Sequence, residues 1–240
     1  MPEQRFYREF MQTKDLCCFN VTEQESDLQM FAEIDLTLKA RAALLKYREE
    51  LRDYGRKHPE FLHSLVPVEP DPDSPEIIVE MCEAAQAAQV GPMAAVAGAI
   101  AQYIGLSLAP DTQEIIIENG GDIFLKSSLE RKVLIYAGDS PFSNRIALLI
   151  PGDSRPWGIC TSSGTVGHAF SFGKADAAVI VARDAILADA AATAACNQVT
   201  SAAQIEKGIS TAMSIPGVEG VLIIIGDKMG AYGNINLTKP

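Results

Sequence analysis

Apolar residues recur along this chain with two different periods, and the change between them predicts its elements. Near the start, RFYREFM and LCCFNVTEQESDLQMFAE alternate modestly, which predicts one or two strands with a polar turn between Glu23 and Asp27. Over residues 37–57 the apolar positions Leu38, Leu44, Leu45 and Leu51 fall at helical spacing among Lys, Arg and Glu. That pattern predicts a surface amphipathic helix. His58 and Pro59 end it, because the residue before a proline avoids helical backbone. Residues 67–75, PVEPDPDSP, carry four prolines and three acids and read as a connector, the best-marked internal boundary. Ser74 and Pro75 are placed to cap and open the next helix, which continues over 76–89. After Gly91-Pro92, the nearly uncharged run MAAVAGAIAQYIGLSLA reads as a buried helix, too short to span a bilayer comfortably.

The period then shortens. EIIIENGGDIFLK reads as strand, turn and strand, with Asn119-Gly120-Gly121-Asp122 as the turn. RKVLIYAG and RIALLIP are further strands around a polar loop at 139–144, and WGICTSSG ends a strand in a glycine turn. ADAAVIVAR is an apolar strand, ILADAAATAACNQV an alanine-rich helix, and 202–213 a second helix. VLIIIGD reads as the final strand, with the glycine-rich tail KMGAYGNINLTKP covering an edge. Helices gather between strand runs without regular βαβ alternation, so the expected class is α+β, a mostly antiparallel sheet packed with helices. The expected organisation is a single domain over 1–240: an N-terminal strand and helix segment at 1–66, the connector at 67–75 and a core at 76–240.

Composition narrows the function. Apolar residues make up 48% of the chain, enough for a sizeable core, and the net charge is −11. An acidic chain with no basic run argues against nucleic-acid binding, which leans on Lys and Arg. The five cysteines form no CxxC pair, which argues against a zinc site or a redox dithiol and suits free thiols in a reducing compartment. No signal-like start and no long apolar run is visible, so a cytoplasmic protein without a membrane partner is expected.

Three motifs could carry chemistry. In Asn119-Gly120-Gly121-Asp122 the glycines permit positive φ and close approach of a ligand to the backbone, while Asn and Asp add an amide and a carboxylate. The bland alternative is a plain hairpin turn. In Thr161-Ser162-Ser163-Gly164, hydroxyls and amides of a glycine turn could cradle phosphate oxygens, or form an ordinary polar loop. Asp189 and Thr193 lie four apart and share one helix face, offering the hard oxygens that Mg²⁺ takes. Otherwise, Asp189 pairs elsewhere and Thr193 bonds back to its own helix. His168, close behind the TSSG loop, is the candidate acid or base.

The order GPMAAVAGA, ENGGDI, CTSSGT, ADAAATAA resembles the ApbE family of Mg²⁺-dependent FAD:protein FMN transferases, over roughly residues 76–200. The resemblance implies a T-fold-like architecture with FAD between its halves. It implies Asp189 and Thr193 as Mg²⁺ ligands, with Asn119 to Asp122 and Thr161 to Gly164 lining the nucleotide site. It also implies an acceptor protein whose threonine attacks the FMN phosphate. Two features depart from the family pattern: Ala97 stands where the family's lysine would be, and the family's histidine-bearing stretch is reduced to His168 and FSFGKAD. Three functions therefore stay open: a transferase or pyrophosphatase acting on FAD, a flavin-binding protein that has lost that chemistry, and a scaffold or homo-oligomer component.

Overall fold

A computed structural model describes residues 8, 13, 15–166 and 172–240. Strands β1 (Cys17–Glu23) and β2 (Ser26–Ala32) form a hairpin whose turn falls at Gln24 and Glu25, inside the expected span. Helix α1 (Thr37–Lys57) has the expected bounds, but its inward stripe differs from the one read off the leucines. Ala40, Leu44, Tyr47, Leu51 and Tyr54 are buried, whereas Leu38 is 85% exposed and Leu45 half exposed. The buried set keeps the three-and-four spacing that one helix face requires. A short helix α2 (Pro59–His63) follows at once.

Helix α3 (Glu76–Ala88) opens differently from expectation. Pro75 is the boundary residue, in extended conformation, and its carbonyl accepts from Ile78 N at 2.9 Å. Ser74 supplies no side-chain cap, because the extended proline stands between it and the first turn. A 3-10 turn (Pro92–Ala95) leads into α4 (Val96–Leu108), which is buried along most of its length. No single helix among the described residues is long and apolar enough to cross a membrane; α3 and the segment ending in α4 meet at 102°.

The second half builds β3 (Ile115–Asn119), β4 (Asp122–Lys126), β5 (Arg131–Leu134), β6 (Ala147–Ile150), β7 (Pro156–Ser162) and β8 (Ala177–Ala182). Then come α5 (Ala185–Asn197), α6 (Ile205–Met213), β9 (Val218–Ile225), β10 (Lys228–Gly233) and β11 (Leu237–Thr238). Asp184 caps α5 by accepting from Ile186 N and Leu187 N. The run ending in VLIIIGD is not the last strand. The tail folds back as β10 along β9, and β11 then pairs with β6.

Eight strands form one sheet in the order β1-β2-β3-β4-β7-β8-β9-β10, and β11-β6-β5 form a second. Every recorded pairing is antiparallel, so the α+β, mostly antiparallel reading holds. One face of the large sheet carries α1, α3, α4 and α5 over a core that includes Ile117, Phe124, Cys160 and Ile180. Its other face packs on the small sheet through Phe31, Leu125, Leu148, Trp157 and Ile159. The central strands are thus covered on both faces, which is why IIIEN, AAVIVA and VLIII show no apolar and polar alternation.

A buried carboxylate anchors the lower end of this sheet. Glu114 accepts from Ser127 Oγ and Ser128 Oγ at 2.5 Å, from Ser128 N at 2.7 Å and from Arg131 Nη2 at 3.0 Å. Burial alone would raise its pKa, but these hydrogen bonds outweigh it and hold the group at about 2. A carboxyl held below its unfolded value stabilises the fold above that value, and the contribution is lost as pH falls from about 4.5 toward 2. Glu114→Gln should therefore cost about 2–3 kcal/mol near pH 7 and flatten acid unfolding across this window, measured by urea midpoints at several pH values. Equal losses at pH 7 and pH 2.5 would contradict the assignment.

Candidate functional site

The turn Asn119 to Asp122 is a two-residue hairpin loop. Gly120 and Gly121 take φ of 70° and 101°, which side chains with a Cβ rarely adopt, while Asn119 and Asp122 face each other as the last strand pair. The hairpin reading is therefore correct, and the same residues also make long-range contacts. Asn119 Nδ2 donates to Ala97 O at 3.1 Å, tying the hairpin to the amino end of α4. Asp122 Oδ1 accepts from Thr161 N at 3.1 Å, tying it to the end of β7. Beneath the turn, Glu118 Oε1 accepts from Gly121 N at 2.8 Å.

Asp189 completes the convergence from α5. Its Oδ2 accepts from Gly98 N at 2.9 Å, and the Ala97 amide also donates to it. Helix α4 has no side-chain cap of its own at Ala95, so Asp189 caps it from a neighbouring helix. This realises the alternative in which Asp189 is paired elsewhere. Thr193 lies one turn further along α5, half-buried. The helices approach closely because position 98 is glycine: a Cβ there would sit 2.2 Å from Ala185 O.

Two buried carboxylates therefore stand near one another. Burial raises the Asp189 carboxyl to about 7, against the pull of the Gly98 and Ala97 amides. Asp122 is raised well above the usual carboxylate range, first by burial and then by the charge of Asp189. Neither forms a salt bridge among the described residues, so one proton or a cation must offset the pair. Cys160 lies beside Asp122, its thiol donating to Ala185 O at 3.3 Å, and burial pushes its pKa up.

The TSSG segment behaves differently from the cradle expected of it. Thr161 and Ser162 belong to β7, and Ser163 Oγ accepts from Thr165 N at 3.1 Å and Val166 N at 3.0 Å. Ser163 thus occupies the acceptor position that an anion would take on those amides. Gly164 N donates to Ala175 O at 2.9 Å, and a Cβ at Gly164 would meet Gly173 O at 2.1 Å. Ser162 Oγ is buried without a hydrogen-bond partner among the described residues. His168 lies outside the described residues.

The fold therefore brings Asn119, Asp122, Thr161 and Asp189 into one network with Ala97 and Gly98, with Thr193 one turn away. Ser163 and Gly164 serve their own loop. Glu118, Cys160 and Gly98 are absent from the candidates read from the motifs. A lone acid inside the apolar strand IIIEN was a visible signal for Glu118. Cys160 and Gly98 lie inside the stretches CTSSGT and GPMAAVAGA, but neither is singled out there as a site residue. No group of three or more His, Cys, Asp or Glu side chains able to hold a metal occurs among the described residues.

A family model described as AbpE bacteria matches residues 8–217. The chain belongs to this family. The AbpE match spans all of the converging elements, from the segment before β1 to α6, so the family relationship read from the four motifs holds. A UPF0280 protein of Methanococcus aeolicus is 41% identical over 201 residues, covering 82% of this chain and 81% of that protein. The UPF0280 protein of Methanocaldococcus jannaschii is 40% identical over 202 residues, covering 82% of each. Among solved structures, the flavinyl transferase ApbE of Pseudomonas stutzeri in its apo form aligns with TM-score 0.57 at 13% identity, over 91% of this chain and 94% of that one. The flavin transferase ApbE of Vibrio cholerae aligns with TM-score 0.59 at 11% identity, over 91% and 96%. At such identities, these two establish a shared fold for this AbpE-family chain.

Proposed function

We propose that this chain binds a flavin nucleotide, FAD, together with Mg²⁺, where the Gly120-Gly121 hairpin, the amino end of α4, the end of β7 and α5 converge. The observation that carries the reading is the buried, neighbouring pair Asp122 and Asp189, which has no cationic side chain beside it among the described residues. The donors fit a hard cation. A carboxylate and a hydroxyl suit Mg²⁺, which usually takes one or two carboxylates and leaves positions for water and phosphate oxygens. Asp189 and Thr193 would hold the ion, and Asp122 would add its charge from the sheet. Bound there, the cation would neutralise pyrophosphate charge. Gly120 and Gly121 leave the backbone open to the nucleotide, and the Ser162 hydroxyl, unpaired among the described residues, is a donor suited to a polar ligand group.

On this reading the reaction is transfer of FMN. A threonine hydroxyl of an acceptor protein, or water in a pyrophosphatase, attacks the phosphorus on the flavin side. The bond from that phosphorus to the bridging oxygen breaks, AMP leaves, and the attacking oxygen's proton passes to a base, for which His168 is the candidate. Asn119 holds the hairpin on α4, and Asp122 fixes the Thr161 amide at the edge of the site. A second reading, FAD held without turnover, is supported by Ala97. It stands in the place of the family's lysine, and its amide and carbonyl are both engaged, with Asp189 and Asn119.

Titration of FAD with and without Mg²⁺, followed by flavin fluorescence and by assay of FMN and AMP, separates these readings. Metal-dependent binding with both products supports the transferase or pyrophosphatase. Saturable binding without product supports the holding protein. Absence of any Mg²⁺-dependent flavin binding would remove both.

A further inference from the structure

We propose that Arg8 is a positioning residue for this site: acting through Glu118, it fixes the Gly121 amide and with it the shape of the Gly120-Gly121 turn. Its consequence for ligand binding rests on the reading above, whereas its effect on the turn does not.

The geometry is a relay across the face of the sheet opposite the helices. Arg8 Nε donates to Glu118 Oε2 at 2.7 Å, and the other oxygen, Oε1, accepts from Gly121 N at 2.8 Å. The same guanidinium donates through Nη1 to Asp27 Oδ2 at 2.9 Å and through Nη2 to Asp27 O at 2.6 Å. Asp27 adjoins Leu28, which pairs with Asn119, so Arg8 clamps β2 and β3 where the hairpin turns. The Arg8 side chain is 11% exposed and that of Glu118 is 1% exposed.

Burial gives the clamp its effect. A carboxylate this deep is costly without a cation and hydrogen bonds. Arg8 holds Oε2 of this carboxylate, so removing it frees the Glu118 side chain to rotate. Rotation weakens the alignment of Oε1 with Gly121 N. The turn then has less to hold its two left-handed glycines, and glycine relinquishes an imposed conformation more readily than other residues do. Asp122 follows Gly121 directly, so its carboxylate loses its setting against Thr161 N. The matched family region begins at Arg8, so this contact lies within it.

The first test uses the ligand-free protein: amide exchange at Gly121, followed by nuclear magnetic resonance, in the wild type and in Arg8→Met. Exchange at Gly121 should accelerate by about ten-fold or more, while amides in β8 and β9 keep their protection. In FAD titrations, Arg8→Met should bind about ten-fold more weakly, because the binding-competent turn is less populated. Arg8→Lys should recover part of both effects, keeping the charge but not the fork. Should Arg8→Met not fold, Asp27→Asn loosens the guanidinium with Glu118 intact and should give a smaller acceleration at the same amide. Unchanged Gly121 exchange in Arg8→Met, or in Asp27→Asn where the first does not fold, overturns the proposal. Wild-type protein that ignores FAD defeats the flavin reading alone, and Gly121 exchange still decides the role of Arg8.

Discussion

Gly98→Ala should destabilise the protein by about 3 kcal/mol or more, although alanine in a helix interior is ordinarily favoured over glycine by about 1 kcal/mol. The sign is reversed by what a methyl group would meet. A Cβ at position 98 lies 2.2 Å from Ala185 O, 2.9 Å from Ala185 C and 2.9 Å from Asp189 Cβ. Two of these are backbone atoms at the start of α5, and they cannot rotate away as a flexible side chain could. The start of α5 is also pinned from β7, since a Cβ at Gly158 would meet Ala185 Cα at 2.4 Å. To admit the methyl, α4 must lift from α5, which breaks the bond between Gly98 N and Asp189 Oδ2. Urea unfolding should show a lower midpoint with an unchanged slope, together with loss of any Mg²⁺-dependent flavin binding. A variant as stable as the wild type would mean that α4 and α5 are not in this close contact.

Asp189→Asn should make the protein more stable at pH 8 by about 2–4 kcal/mol while abolishing its response to Mg²⁺. The direction follows from the raised carboxyl. Its folded value, about 7, lies above the unfolded value of 3.8, so between these limits the folded state keeps a proton that the unfolded state gives up. Stability attributable to this group is complete below about pH 4, declines as pH rises toward 7, and stays low above it. Asparagine can still accept from Gly98 N, so the cap survives while the charge and its repulsion with Asp122 disappear. The wild type should therefore gain Tm with Mg²⁺ at pH 8 and little at pH 5, because the cation favours the ionised pair. A wild type whose Tm ignores Mg²⁺ at pH 8 would argue against a cation at the pair. An Asp189→Asn variant less stable at pH 8 would show that the carboxylate's bonds to α4 outweigh its burial.

Much of this molecule was legible in one dimension because the deciding interactions are local. The period that predicts α1, the glycine pair that predicts the β3–β4 hairpin and the alanine-rich run of α5 each depend on neighbours a few residues apart. Even there the burial of particular side chains needed the fold. Leu38 satisfies the helical period and still faces solvent, because the sheet covers the Ala40 and Leu44 face of α1.

The α+β class, the order of most elements and the motifs that mark the AbpE family follow from apolar period and turn chemistry, which are written in consecutive residues. That β5, β6 and β11 form a separate small sheet, that Asp189 caps α4, and that Asp122 and Asp189 are buried within reach of each other's charge emerge from the folded packing alone. It likewise brought Arg8 to Glu118, 110 residues away. Such contacts depend on strand register and helix approach, which are set by packing over the whole core. A buried carboxylate acquires its altered proton affinity only once that packing has taken its water away.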